Sequence, residues 1–478
     1  MRKILSYTES VCPDCLTRLP ALRVLRGEDV YLEKHCPRHG SFSTVIWRGQ
    51  PDFTSWVRPK TPSFPKNPFT EVKQGCPYDC GLCPDHRQQS CCVLLEVTQR
   101  CDLHCPICFA DGGKNPPLPP LGKGGKHKRS QLLSPLSKGG QGEIPDLPLF
   151  EISAWYERLL AAGGPFNVQL SGGEPCLRDD LPEIIRIGRS HGFTFFQLNT
   201  NGLRLARDPA YLAELKAAGL STVFLQFDGT DDAIYRSLRG RDLLAQKMAA
   251  IANCAQAGVG VVLVPTLVPG VNVADIGNIL RLGLAHMPTV RGVHFQPVSY
   301  FGRYPESPTN EARITIPEVI QAIAAQTGGL IAAASFCPPG GENAACSFHG
   351  NFVLMPDGAL KALTRHKAEY CCQPVEAAQG ASRSREFVAE HWSAPTPAPI
   401  SGGPSLGEWD VFLERKHTHT FCISGMAFQD AWTLDLERLR DCYIHTASPD
   451  GRLVPFCAYN LTDRDGRSLY RKNEHHPA

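Results

Sequence analysis

A chain of 478 residues with a formal net charge of +2 is long enough for about three folding units. It also carries no global field that would draw it onto nucleic acid or an anionic membrane. The start, Met1 to Glu9, lacks the apolar core of a signal peptide, and the longest apolar stretch, Val259 to Val268, is broken by Pro265, so a soluble cytoplasmic protein is expected.

Twenty cysteines in such a chain argue against a disulfide scaffold and for metal ligation, since a reducing compartment does not preserve disulfides. In chain order, residues 1–70 open with Cys12-Pro-Asp-Cys15 and Cys36-Pro-Arg-His39-Gly. Two knuckles of this kind around short strands predict a zinc-ribbon or rubredoxin-like domain holding one mononuclear zinc or iron. Zinc would be structural, whereas iron would allow electron relay. A linker punctuated by Pro51, Pro59, Pro62, Pro65 and Pro68 follows. Residues 71–91 then carry Cys76, Cys80 and Cys83 in a loop rich in turn formers. Their spacing fits an auxiliary [4Fe–4S] cluster with Cys91 or Cys92 as fourth ligand; His86 is also near, and zinc is the competing metal.

From 92 to 300, apolar β-rich runs alternate with helical patterns. The runs are Val93 to Thr98, Asn167 to Leu170, Phe193 to Leu198, Thr222 to Phe227, Val261 to Pro265 and Gly292 to Gln296. Helical segments such as Ile152 to Ala162 and Leu181 to His191 imply parallel crossovers, so the fold class is α/β with an open, partial (β/α)6 barrel. The stretch 114–142, built of Pro, Gly, Lys, Ser and Leu, reads as a disordered insertion in a surface loop. Residues 301–478 form a third, metal-bearing region. Its best quartet, Cys346, Cys422, Cys442 and Cys457, predicts a second auxiliary cluster; free buried cysteines are the alternative.

Two motifs carry the chemistry. Cys101, Cys105 and Cys108 supply three thiolates immediately after the first barrel strand. Three thiolates hold three irons of a cubane and leave the fourth open to a small molecule, although a zinc knuckle would fit this loop alone. One strand later comes Gly172-Gly173-Glu174-Pro175, where glycine permits close backbone approach and Glu174 can meet an ammonium group. The pair resembles the radical S-adenosylmethionine (SAM) superfamily. That resemblance implies SAM chelation by the open iron, reductive cleavage to a 5′-deoxyadenosyl radical, and further SAM contacts from Asn199, Thr200 and Gln226. By residue type alone, Asn199 and Thr200 belong to an ordinary turn, and Gln226 and Asp228 are satisfied polar groups of a barrel.

The whole ensemble, including Gly75 to Cys83 and Phe456-Cys457-Ala458-Tyr459-Asn460, resembles the tetraether lipid synthase family and its pterin-methylating relatives. The implied activity is carbon–carbon bond formation on lipid chains, with methylation of a pterin precursor as the alternative. A ferredoxin or flavodoxin as electron donor follows, with peripheral membrane contact for a lipid substrate and no nucleic acid. A non-enzymatic multi-metal scaffold is disfavoured, because the Gly-Gly-Glu-Pro turn has no purpose without SAM. Cys176 after that turn and the irregular stretch 361–404 depart from the family pattern.

Overall fold

The computed structural model describes residues 2–110, 146–366, 374–395 and 407–471. The insertion expected at 114–142 therefore lies outside the described residues, as do Cys371 and Cys372.

The N-terminal region is a four-stranded antiparallel sheet of β1 (Arg2–Val11), β2 (Arg18–Arg26), β3 (Asp29–Cys36) and β4 (Gly40–Trp47), in sequential order. β3 alternates buried and less buried residues, as a strand of a sheet with one face packed requires. That face docks on the C-terminal region. Arg23 binds both Asp435 and Glu437, and the buried Lys34 ammonium donates to Ser10 Oγ and to the carbonyls of Ala431 and Trp432. The linker adds β5 (Lys60–Thr61).

All six expected barrel strands are present: β6 (Cys92–Thr98), β7 (Asn167–Gly172), β8 (Phe196–Thr200), β9 (Thr222–Gln226), β10 (Gly260–Val264) and β12 (Val290–Pro297), with the short β11 (Thr266–Leu267) beside β12. Each pairs parallel with the next. β6 is buried along its whole length, as a parallel strand covered on both faces must be. The covering helices bury a stripe at helical spacing, such as Ile152, Trp155, Tyr156 and Leu159 of Leu149–Ala161. They end where the chain needs a left-handed residue: Pro209–Ala218 stops at Gly219, φ +114°, and Leu244–Ala257 at Gly258, φ +64°.

The C-terminal region extends this sheet at both edges. It contributes β13 (Ser347–Leu354), β14 (Leu360–Ala362), β15 (Val375–Glu376, paired with β5), β16 (Thr420–Met426), β17 (Ile444–Ala447) and β18 (Leu453–Pro455). β16 runs parallel to β12, and β17 runs parallel to β6. Eight parallel strands thus stand in the order β17-β6-β7-β8-β9-β10-β12-β16, and among the described residues no pairing joins β16 to β17. The barrel is open at that seam.

Part of the irregular stretch folds as a helix, Ala377–Trp392. It lies across the N-terminal ends of the barrel strands. Its carbonyls accept from Asn167 Nδ2 (3.2 Å, at Arg385) and Arg291 Nε (2.8 Å, at His391), and a Cβ on Gly260 would stand 2.2 Å from the Trp392 carbonyl oxygen. Among the described residues no helix is long and apolar enough to cross a membrane.

Candidate functional site

The Cys101–Cys108 loop leaves the C-terminal end of β6, where barrel folds gather their reactive groups. Cys105 is buried, and Cys101 and Cys108 are half-buried. Backbone bonds between Cys108 and Arg303, 3.0 and 2.9 Å, tie the loop to the chain beyond β12. Arg239 supports it from below. Its guanidinium takes both oxygens of Asp228 at 2.7 Å, donates to the Ile107 carbonyl at 3.3 Å and lies beside Cys105. Asp228 is therefore a buried structural partner, and the Gln226 amide lies 3.3 Å from the same arginine.

The Gly-Gly-Glu-Pro turn is strapped to the start of this loop. Gly173 N–H donates to the Thr98 carbonyl at 2.8 Å, and Glu174 N–H donates to that of Arg100 at 2.7 Å. A Cβ on Gly172, whose φ is +122°, would sit 2.1 Å from the Thr98 oxygen, and one on Gly173 would sit 2.1 Å from the Arg100 oxygen. Both positions require glycine, and the close approach fixes the turn against the cysteine loop.

Glu174 was expected to meet an ammonium group. Its carboxylate accepts from Thr200 Oγ1 (2.7 Å), Asn201 N (2.7 Å) and Cys176 N (3.0 Å), so it organises the Asn199–Gly202 turn. Burial pushes its carboxyl above the usual range, and these three donors oppose that rise. Pro175 opens the short helical turn Pro175–Leu177 that Glu174 caps. Asn201 Nδ2 reaches Asp102 at 2.7 Å, joining the turn to the cysteine loop.

The sequence gives no hint of Lys247. It sits in an ordinary helix, yet it is fully buried, donates to the Asn201 carbonyl at 2.5 Å and reaches Gln226 Oε1 at 3.4 Å. Burial lowers its ammonium to about 8.

These motifs ring the mouth of a cavity of about 290 Å³ that runs down the barrel axis to the helix Ala377–Trp392. All three cysteines of the loop line it, together with Gly172, Gly173, Glu174, Asn199, Thr200 and Gln226. Further down, amides project from alternate strand positions: Gln169, Gln197 and Gln296, with Asn167 at the floor. Gln197 Nε2 donates to Asn199 Oδ1 (2.8 Å), and Asn199 Nδ2 to Gln169 Oε1 (3.3 Å). Opposite them Phe224 stacks on Trp392, with centroids 5.4 Å apart and planes at 20°. His294 lies beside the pair; its Nδ1 meets Ser424 Oγ at 2.8 Å, and burial lowers its pKa to about 4, so the ring is neutral near pH 7.

The other cysteines divide into three groups. Cys12, Cys15, Cys36 and His39 converge between the β1–β2 and β3–β4 turns, with all four ligand atoms within 4.8 Å of one another. His39 Nδ1 stands 3.4 Å from Cys12 Sγ and 3.5 Å from Cys36 Sγ, spacings that a single tetrahedral ion would span. Cys76 and Cys80 lie buried against Val11 and Leu16 of this domain and Cys457 to Leu461 of the C-terminal region, with Cys83 beside them. Tyr470 braces that loop, accepting from Cys80 N (2.9 Å) and donating to the Pro77 carbonyl (2.6 Å). Cys91 and Cys92 line the large cavity, and His86 is bonded to the Cys442 carbonyl at 2.7 Å.

The expected C-terminal quartet is not assembled as such. Cys346, Cys442 and Cys457 share one small cavity at the open seam, but Cys422 is elsewhere. Cys422 is held in mid-strand on β16, paired with Gly292 and Asn351, with its side chain beside Arg291 and Trp392.

The donor sets fit the groups the motifs imply. Three sulfurs meet at one mouth beside a cationic guanidinium, two glycines clear a path to the backbone, and a separate Cys3His set lies at ion-binding distance. Residues 95–283 match the radical SAM superfamily, and residues 4–48 match a family described as the HMPTM N-terminal zinc ribbon domain. Solved structures that the chain matches in part include anSMEcpe with bound AdoMet and methylornithine synthase. The first is 16% identical with a TM-score of 0.36 over 50% of this chain and 59% of that one; the second is 17% identical with 0.35 over 51% and 63%. The protein is a radical SAM enzyme. Over 500 aligned residues it is 33% identical to the 7,8-dihydro-6-hydroxymethylpterin dimethyltransferase of Methanocaldococcus jannaschii, covering 96% of this chain and 94% of that protein. The chain belongs to the family of that dimethyltransferase.

Proposed function

We propose that this enzyme methylates a reduced pterin precursor, with the pterin ring seated in the barrel cavity below the cysteine loop. The relative's name directs attention to a pterin, and the observation that carries the reading is the make-up of the cavity. Amides at three levels face a stacked Phe224–Trp392 pair. Each amide offers both donor and acceptor, as the edge of a pterin requires, and the aromatic faces suit its plane. An alkyl chain lying against the same amides would leave polar groups unmet, at about 1–3 kcal/mol each.

Cys101, Cys105 and Cys108 would hold a cluster that, given one electron, would cleave SAM to methionine and a 5′-deoxyadenosyl radical able to take a hydrogen atom from the pterin; a second SAM would supply the methyl group and leave as S-adenosylhomocysteine, the further electron coming from the same external donor. The chain's own residues do the rest. Gly172 and Gly173 let the turn approach, and Glu174 holds Thr200 and Asn201 at the mouth. Lys247 pins the Asn201 carbonyl, and the helix Ala377–Trp392 closes the floor against water. An external one-electron donor of the ferredoxin or flavodoxin class completes the scheme, and zinc at the Cys3His site would make that site a structural staple.

One observation supports a second reading, radical coupling of lipid chains. Leu94, Phe301 and Phe456 form an apolar wall beside the seam, and a hydrocarbon would pack there; contact with a membrane surface belongs to this reading. Reconstituted enzyme with dithionite and SAM separates the two. Methylated pterin formed alongside 5′-deoxyadenosine is the expected result with dihydro-hydroxymethylpterin. Deoxyadenosine formation stimulated only by a glycerolipid would replace the pterin reading with the lipid one.

A further inference from the structure

Cys346, Cys442 and Cys457 arrive at the seam cavity from three separate places. Cys346 ends a short helical turn, Ala344–Cys346, capped by the Asn343 side chain. Cys442 lies two residues before β17, and Cys457 is the second residue of the turn Phe456–Tyr459. Two of the sulfurs already accept N–H hydrogen bonds, Cys346 from Arg438 Nε at 3.4 Å and Cys457 from the Gln429 backbone at 3.3 Å. Such bonds stabilise sulfur that carries negative charge, as metal-bound thiolate does.

Glu342 lines the same cavity and is 3% exposed. Its Oε1 accepts from Ser347 Oγ at 2.5 Å, and the Tyr443 side chain lies against the carboxyl, yet Oε2 has no hydrogen-bond partner. A buried carboxylate oxygen without a partner is costly and needs an explanation. The Lys60 ammonium bonds to the backbone carbonyl of the same residue, which fixes the chain at the rim of the cavity. Three sulfurs satisfy three irons of a cubane, and the fourth iron requires one more donor.

We propose that Glu342, not Cys422, completes the donor set of an auxiliary [4Fe–4S] cluster held by Cys346, Cys442 and Cys457. The bare oxygen Oε2 supplies the donor. This goes beyond the substrate reading and stands whether the substrate is a pterin or a lipid.

The test uses the full-length chain carrying Cys101→Ala, Cys105→Ala and Cys108→Ala, which removes the SAM-binding cluster, and compares added Glu342→Gln, Glu342→Cys and Cys422→Ser changes. Iron and sulfide content, Mössbauer spectra and the EPR of air-exposed samples are read, with metal at the N-terminal site as the check on folding. Glu342→Gln is expected to lose about one iron per chain and to raise the [3Fe–4S] signal above that of its parent, where only the Cys76–Cys83 loop contributes one. Cys422→Ser should match its parent in iron and spectra. Glu342→Cys should keep its iron while the Mössbauer parameters of one site move toward sulfur ligation, and this variant decides the matter if Glu342→Gln does not fold. Unchanged iron and spectra in Glu342→Gln, unchanged spectra in Glu342→Cys, or iron loss in Cys422→Ser would each overturn the proposal.

Discussion

At the N-terminal end, Cys12, Cys15, Cys36 and His39 come from two turns of one four-stranded sheet and meet within 4.8 Å. At the other end, Cys346, Cys442 and Cys457 meet only because β17 returns to pair with β6 and the seam beside it stays open. The first site is closed by local chain geometry, so its ligands can be read as a pattern of intervals. The second is closed by tertiary structure, and intervals say nothing about which cysteine belongs. Cys422 was an equally good candidate by its neighbours in sequence, and the fold turns it toward Trp392 instead.

The sharpest way to separate motif-borne from fold-borne function is Cys105→Ala. SAM cleavage should fall at least about a thousandfold while metal at the Cys3His site is retained, because that site is built independently. Persisting deoxyadenosine production would contradict the assignment of the loop. Next in size is the paired comparison of Cys12→Ser with Cys457→Ser. Hydrogen exchange after Cys12→Ser should speed up chiefly in β1–β4, with roughly 2–4 kcal/mol lost there. Cys457→Ser should loosen β17, β18 and the seam together. If both variants gave the same exchange map, the contrast between local and assembled sites would fail.

Arg239→Met should cost about 3–5 kcal/mol in urea unfolding, since it strands the Asp228 carboxylate inside the protein. Adding Asp228→Leu should recover much of that loss. On the pterin reading proposed above, Trp392→Ala is expected to raise the KM for the pterin about tenfold with a smaller effect on SAM binding, as lost stacking is worth about 1 kcal/mol or somewhat more. The last effect is in pH. Burial lowers His294 and His349 to about 4, below the value of the free side chain, so the folded chain binds fewer protons than the unfolded one in this range. Their contribution to stability is complete above pH 6.5 and is lost as pH falls toward 4, by roughly 1.4 kcal/mol per pH unit for each ring. His294→Gln should flatten that slope in a series of melting curves.

The six central strands were legible because each is a short run rich in apolar and β-branched residues between turn residues, and the two motifs were legible because cysteine and glycine spacing is a local quantity. β16 and β17 were not, since their partners lie far away in sequence and Ile444–Ala447 is only four residues long. The floor helix was hidden by its composition. It carries Gly380 internally and buries only Ala377, Gly380 and Ala381, so no strong apolar stripe marks it. Lys247 escaped notice because a lysine in a helix is ordinarily solvated. The bonds from Thr200 and Asn201 to Glu174 were not legible, because only the folded turn brings those donors within its reach.

Closing the bottom of the barrel with Ala377–Trp392 also dictates a schedule. The open seam is walled by apolar Leu94, Phe301 and Phe456, so a polar substrate would use the end where the cysteine loop sits and would have to arrive before SAM and depart after SAM's fragments. Steady-state kinetics should therefore follow a compulsory order, and a reaction that consumes more than one SAM per substrate can exchange the spent cofactor at the top while the half-finished molecule stays below.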